Sequence, residues 1–267
     1  VQAGILGEAT FFLDISFTSL NVQLLFNRCL RLKPLILSMV SIIIPTYNEE
    51  DNIHKLVGYL NKNAHGEAVE IIVADGASQD STTTLAKEAG AIVIDCIKKG
   101  RAAQMNYGAS FANGDVLYFV HADTFPAASF VKDIKDALAD GYGLGRYRTK
   151  FDSNKFILKM NAFFTRFDLF MCYGGDQTLF IKKDVFNTIG GFKEDMLIME
   201  DYEIIERAKQ QSPYKIFSKA TQVSARKYET NNWLKVQKAN YIIVQMYKNG
   251  ASQNDMVTCY KKMLKLR

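Results

Sequence analysis

The feature that most constrains this chain is a series of short β-branched runs separated by amphipathic stretches. Residues 40–45, "VSIIIP", form a continuous apolar run closed by proline, as expected of a strand buried on both faces. In "NEEDNIHKLVGYLNKN" that follows, Asn48 is placed as a helix N-cap, and Ile53, Leu56, Val57 and Leu60 recur at helical spacing. The alternation continues with a strand at 69–75, a helix at 81–90, a strand at 91–95, a helix over "GRAAQMNYGASFA" and a strand at 115–120. It predicts an α/β fold: a mostly parallel sheet with helices on both faces, joined by right-handed crossovers.

Ligands of such sheets sit at the carboxyl ends of the strands. Three of those ends are polar here: Pro45-Thr46-Tyr47-Asn48-Glu49, Asp75 to Asp80, and His121-Ala122-Asp123. A single site built from all three is the economical inference. Asp123 closes the run "YFVHAD", where an unpaired carboxylate against an apolar core would be costly. A carboxylate one residue from a second polar ligand, on a turn, suits a hard divalent cation with positions open to diphosphate oxygens.

Beyond residue 140 the rhythm changes. "YGLGRYRTKF" reads as a strand with an exposed face, 153–171 as an aromatic-rich helix, and "YGGDQTLFIKK" as a glycine turn feeding a strand. A helix near 200–211, a short strand at "YKIF" and helices near 230–248 and 252–265 complete the chain. The expectation is one domain over 39–267, with a nucleotide-binding half (40–125) and an acceptor or covering half (126–267). Residues 1–38 precede it as an extension whose structure the sequence leaves open.

Charge divides along the same line. Residues 1–140 carry 11 Lys and Arg against 16 Asp and Glu, whereas 141–267 carry 22 against 12, balances of −5 and +10. A basic second half favours an anionic partner such as a phosphorylated small molecule or an anionic lipid surface. No nucleic-acid-binding motif accompanies it, so nucleic acid is not the expected partner. Cysteines at 29, 96, 172 and 259 form no C-x-x-C pair, which argues against a zinc site and a disulfide framework. The segment "FFLDISFTSLNVQLLFNRCLRLKPLILS" is interrupted by Asp14, Asn21 and Asn27 and reads as neither signal peptide nor anchor. A cytoplasmic protein is expected, with peripheral contact at the inner face of the membrane as an option. The helix "NNWLKVQKANYIIVQMYKNG" has a broad apolar stripe with Trp233 and Val236 and flanking lysines. It suits packing over the sheet or lying on an anionic bilayer.

In order and approximate spacing, "VSIIIPTYNEEDNI", "IIVADGASQDST", "KGRAAQMNYGA", "GDVLYFVHADTFP", "GGDQTLFIKKDVFNTIGGF" and "MEDYEIIERAK" resemble family 2 glycosyltransferases of the GT-A fold. The nearest likeness is to a short, single-domain branch linked to arsenosugar or selenosugar biosynthesis. It spans about residues 40–250. The resemblance implies an inverting transferase that uses a nucleotide-sugar donor, expected to be a UDP-sugar, with Mg²⁺ or Mn²⁺. Tyr47 and the backbone around Pro45 and Thr46 match the segment packing on the base, with Glu49 in the donor-binding set. Asp75 matches the uracil-binding aspartate, and Arg101 a basic residue near base and diphosphate. Asp123 matches the last aspartate of the metal motif, Asp201 the general base, and Gly175, Asp176 and Gln177 the loop near donor sugar and acceptor. Arg226 of "SARKY" is a candidate for phosphate recognition.

Three positions depart from the pattern: His121 replaces the first aspartate of the metal motif, Ala74-Asp75 replaces paired aspartates, and "GGDQ" replaces "YGDQ". Three arrangements follow for His121: a metal ligand, a phosphate contact, or a bystander while Asp123 holds the metal with water and diphosphate. A nucleotidyltransferase and a noncatalytic nucleotide-sugar or membrane-surface binding protein are the competing readings. "PTYNEE" lacks the glycine-rich basic loop of the first, and Asp123 with Asp201 argues against the second. A dinucleotide-binding domain is excluded because no G-x-G-x-x-G follows the first strand.

Overall fold

The computed structural model describes residues 39–173 and 177–265. Residues 1–38, Gly175 and Asp176 lie outside the described residues.

An eight-stranded sheet runs in the order β3-β2-β1-β4-β7-β6-β8-β5. The strands are β1 (Val40–Thr46), β2 (Val69–Asp75), β3 (Ile92–Asp95), β4 (Val116–Phe119), β5 (Thr124–Phe125), β6 (Leu144–Phe151), β7 (Leu179–Lys182) and β8 (Tyr214–Val223). β1 pairs in parallel with β2 and β4, and β2 with β3. β7 then runs antiparallel to β4 and β6, and β6 parallel to β8. The second half therefore extends the first half's sheet.

Helices cover both faces, as the alternation predicts. α1 (Ile53–Asn63), α2 (Thr82–Glu88) and α4 (Phe130–Ala139) lie on one; α3 (Arg101–Phe111), α6 (Lys183–Thr188) and α7 (Glu200–Lys209) on the other. Alternate residues of β1 feed the two cores, Ile42 and Ile44 one and Ile43 the other, all fully buried. Each such side chain contributes about 1.5–3 kcal/mol. Gly108 lets α3 lie close to β1, since a Cβ there would sit 2.5 Å from Ile43 Cγ2. That approach fixes the start of α3 over the carboxyl ends of the strands.

Several local expectations are corrected. Helix α1 has Asn52, not Asn48, at its N-cap; Asn48 has φ +54° and serves the loop before it. "YGLGRYRTKF" is mostly buried, because helix α5 (Phe156–Phe164) packs on β6 and Arg146 spends its guanidinium on the carbonyls of Thr165 (2.7 Å) and Phe167 (3.2 Å). α5 ends at Phe164, and a short 3-10 turn (Phe170–Cys172) follows. The strand at "YKIF" extends to Val223 because β6 pairs along its length. α8 (Lys227–Thr230) leads into α9 (Trp233–Lys248) and α10 (Gln253–Met263). Val236, Ala239, Ile243 and Val244 of α9 are buried and pack inward, while Leu234 and Tyr241 stay exposed.

Helix α7 is anchored by charge. Glu203, 6% exposed, accepts from Arg207 Nε (2.5 Å) and pairs with Lys193 Nζ (2.8 Å), while Arg207 Nη2 also donates to Gly191 O (2.8 Å). Burial alone would raise the Glu203 pKa, but hydrogen bonds from Arg207 and Lys193 outweigh it and hold the carboxyl below its ordinary value. The stabilisation is complete above the unfolded value of 4.5 and is lost as pH falls through the depressed folded value. Glu203→Ala removes these charge-assisted bonds and should cost about 1.5–3 kcal/mol at neutral pH. In denaturant titrations across pH, its difference from wild type should shrink below about pH 4.5.

Candidate functional site

β1 and β2 end in register, Thr46 beside Asp75, and their loops leave side by side. Asp75 is 2% exposed, so its carboxylate needs partners. Oδ1 accepts from Thr46 Oγ1 (3.1 Å) and Ser78 Oγ (2.5 Å), and Oδ2 from Ser78 N (2.8 Å), an Asx-type turn. Asn48 then laces the loops together: its N–H donates to Ser78 Oγ (2.9 Å) and its Oδ1 accepts from Gln79 N (2.9 Å). Asn48 and Ala77 both have left-handed backbones, φ +54° and +67°, a cost of roughly 1–3 kcal/mol each that the surrounding bonds offset.

Gln104 of α3 braces these loops from behind. Its Nε2 donates to Thr46 O (2.7 Å) and Ala74 O (2.8 Å). Gln104→Ala should destabilise the fold by about 1–3 kcal/mol, measured by chemical denaturation, because both buried carbonyls lose a donor. Above the loops, the Tyr47 ring is half exposed, with Lys99 Nζ 5.9 Å from its centroid. The Tyr47 ring thus lies at the surface and not in the core.

Beyond β4 the chain turns, with Thr124 N bonded to His121 O (3.0 Å). Asp123 Oδ2 accepts from Arg226 Nη2 (2.9 Å), and the same nitrogen lies 3.7 Å from Glu49 Oε2. Glu49 is oriented by Asn52 Nδ2 (2.9 Å). Burial alone would lower the Arg226 pKa; the hydrogen bond it donates to Asp123, then the charges of Asp123, Glu49 and Asp51, raise it instead. Residues 103 positions apart thus meet at the carboxyl end of the sheet.

The third cluster joins α3 to α7. Arg101 Nε donates to Glu200 Oε1, and its Nη2 lies 4.0 Å from Asp201 Oδ2. Met199, at φ +70°, turns the chain into α7 just before these acids. Glu200 is 2% exposed, whereas Asp201 lines a cavity of about 530 Å³ together with Arg101, Gln177, Tyr202, Tyr228 and Trp233. Gln177 Nε2 is tied to Cys172 O (2.7 Å), and its Oε1 is buried without a hydrogen-bond partner among the described residues. Asp123, Glu49 and Arg226 lie outside that lining.

The family model for glycosyl transferase family 2 matches residues 41–194, more than half of the chain. The chain belongs to that family. Among curated relatives, the glycosyltransferase AglE of Haloferax volcanii is 32% identical over 97 residues, 34% of this chain and 32% of the relative. The dolichol-phosphate mannosyltransferase of Pyrococcus furiosus is 30% identical over 107 residues, 38% of this chain and 30% of the relative. The match thus spans about a third of each relative. Among solved structures, a Pyrobaculum calidifontis mannosyltransferase in complex with GDP-Man and Mn²⁺ superposes with a TM-score of 0.59 at 15% identity, covering 84% of this chain and 69% of that one. The Mycobacterium tuberculosis glucosyl-3-phosphoglycerate synthase with Mn²⁺, UDP and phosphoglyceric acid gives 0.56 at 15%, covering 80% and 79%. These likenesses establish the GT-A fold.

Within the family 2 fold, the predicted residues fall into three clusters. Thr46, Tyr47 and Asp75 belong to the first, Glu49, Asp123 and Arg226 to the second, and Arg101, Asp201 and Gln177 to the third. Pro45 sits within β1, and Asp176 is outside the described residues. Sequence reasoning missed Ser78, Gln104 and Glu200. The pair "ED" offered Glu200 as readily as Asp201; a mid-helix glutamine gave no signal.

The donor set bears on a metal. Among the described residues no group of three His, Cys, Asp or Glu side chains is placed to hold an ion. Asp123, two positions after His121, offers a part-exposed carboxylate, 32% for the side chain. One carboxylate fits Mg²⁺ or Mn²⁺ that arrives with substrate phosphates supplying further oxygens, not an ion caged by protein alone.

Proposed function

We propose that this chain is an inverting glycosyltransferase that moves a sugar from a nucleotide diphosphate, UDP above others, to a nucleophile bound in the cavity at Asp201. The observation that carries the reading is that Asp201, and not the adjacent Glu200, faces that cavity beside Arg101. The Tyr47 ring offers a face for the base above the braced loops. Asp123, with His121 nearby, would hold a divalent ion, which when bound neutralises charge on the diphosphate. Arg101, and Arg226 once released from Asp123, add positive charge where the leaving diphosphate becomes more negative. Asp201 accepts the proton of the attacking group from the opposite side of the sugar, and a single displacement inverts the anomeric centre. Solved structures of similar fold with Mn²⁺ and UDP, or with GDP-Man, support the cofactor and donor class. The likeness to the arsenosugar or selenosugar branch belongs to this proposal and names the acceptors to screen first.

Calorimetric titration with UDP and with GDP, each with Mn²⁺ and with a chelator, tests it. UDP binding that requires the metal is expected. No binding of either nucleotide would overturn the reading; tighter binding of GDP would reassign the donor; indifference to the chelator would remove the metal from it.

A further inference from the structure

Half of the exposed large apolar side chains among the described residues fall within 156–171. Helix α5 buries only Leu158 and turns Phe156, Met160, Phe163 and Phe164 outward; Phe167 continues the patch. Phe163, Phe164 and Phe167 form one cluster, with centroids 5.7–6.4 Å apart. Such a contiguous patch marks an interaction site more often than a solvated surface. Its charge is net positive. Lys155, Lys159 and Arg166 lie within it, Arg166 stacked 3.6 Å from the Phe163 centroid. The one acid between 153 and 173, Asp168, is held by Lys209 at 2.9 Å.

We propose that this face docks on an anionic lipid bilayer. Aromatic rings beside lysine and arginine are the chemistry of the membrane interface, where rings enter the headgroup boundary and cations meet lipid phosphates. A second copy is a poorer occupant, because self-pairing would bring together two halves that each carry +10. The surface differs from the stripe of α9, whose Val236, Ala239, Ile243 and Val244 are packed inside. Phe164, Leu169 and Met171 also line the cavity at Asp201, so docking brings its mouth to the lipid surface. Access of a membrane-embedded acceptor to Asp201 follows from docking only if the proposed glycosyl transfer holds; docking itself does not depend on it.

The test is co-sedimentation of the full chain with phosphatidylcholine vesicles, with and without phosphatidylglycerol, in the absence of any sugar donor. Wild type should sediment with the anionic vesicles and release at high salt. Phe163→Ser with Phe167→Ser should weaken that binding about tenfold or more while UDP titration is unchanged. Should that variant fail to fold, Lys155→Glu with Lys159→Glu serves instead, and the same loss is expected. Absence of vesicle binding, binding undiminished by these changes, or a solution dimer that they abolish would each overturn the proposal. UDP binding is scored separately, so a failure of docking and a failure of the enzymatic reading are distinguishable.

Discussion

Asp201→Asn should lower sugar transfer by about 10²–10⁴-fold while UDP binding stays within about twofold of wild type. The substitution keeps the shape of the side chain and removes its ability to take a proton. It leaves the Arg101–Glu200 contact and the braced donor loops in place, so the loss should appear in kcat and not in nucleotide affinity. UDP release from a UDP-sugar, with water or a screened acceptor as nucleophile, gives the rate. Glu200→Gln is the informative partner. Glu200 is buried against Arg101, so its replacement should lower stability and weaken catalysis through the displaced guanidinium. If Asp201→Asn retains near wild-type turnover while Glu200→Gln abolishes it without unfolding, the assignment of the base is reversed.

The two acids also show how far the sequence could be read. Alternating apolar runs predicted β1 to β4 and their helices, because for β1, β2 and β4 burial on both faces leaves few other arrangements. The strand-end rule then brought Thr46, Asp75 and Asp123 to one edge of the sheet. What stayed hidden depends on contacts between distant residues. Gln104 looks like any helical glutamine until Thr46 and Ala74 present their carbonyls to it. Asn48, Ala77 and Met199 adopt left-handed backbones that only the assembled loops enforce, and none is glycine. Arg146, in a segment that reads as half exposed, is fully buried because α5 folds back over it. α5 is the converse: the sequence reads 153–171 as an aromatic-rich helix, and nothing in that pattern tells which way its rings face, whereas in the fold most of them face outward.

Asp123→Ala should reduce metal-supported UDP affinity by about 100-fold, and its pairing with Arg226 explains what the second substitution must do. In the ligand-free chain the guanidinium of Arg226 sits on Asp123 Oδ2 and near Glu49, where it offsets two carboxylates. A carboxylate so engaged is a weaker site for a second cation, because Asp123 must release Arg226 or share its oxygens. Arg226→Ala should therefore strengthen the binding of Mn²⁺ alone, by about tenfold if one charge-assisted bond of about 1.5 kcal/mol is removed. The same substitution should weaken UDP with Mn²⁺ present, since the cation freed from Asp123 is the one available to the diphosphate. Opposite signs for metal alone and for metal with UDP are the diagnostic result, and titration calorimetry on the two single variants and the double variant reads both. With Asp123→Ala in the background, Arg226→Ala should no longer affect Mn²⁺ binding, because its competitor role acts through that carboxylate. A loss of both metal and UDP binding in Arg226→Ala alone would mean that Arg226 holds the Asp123 turn in shape and does not exchange between carboxylate and phosphate.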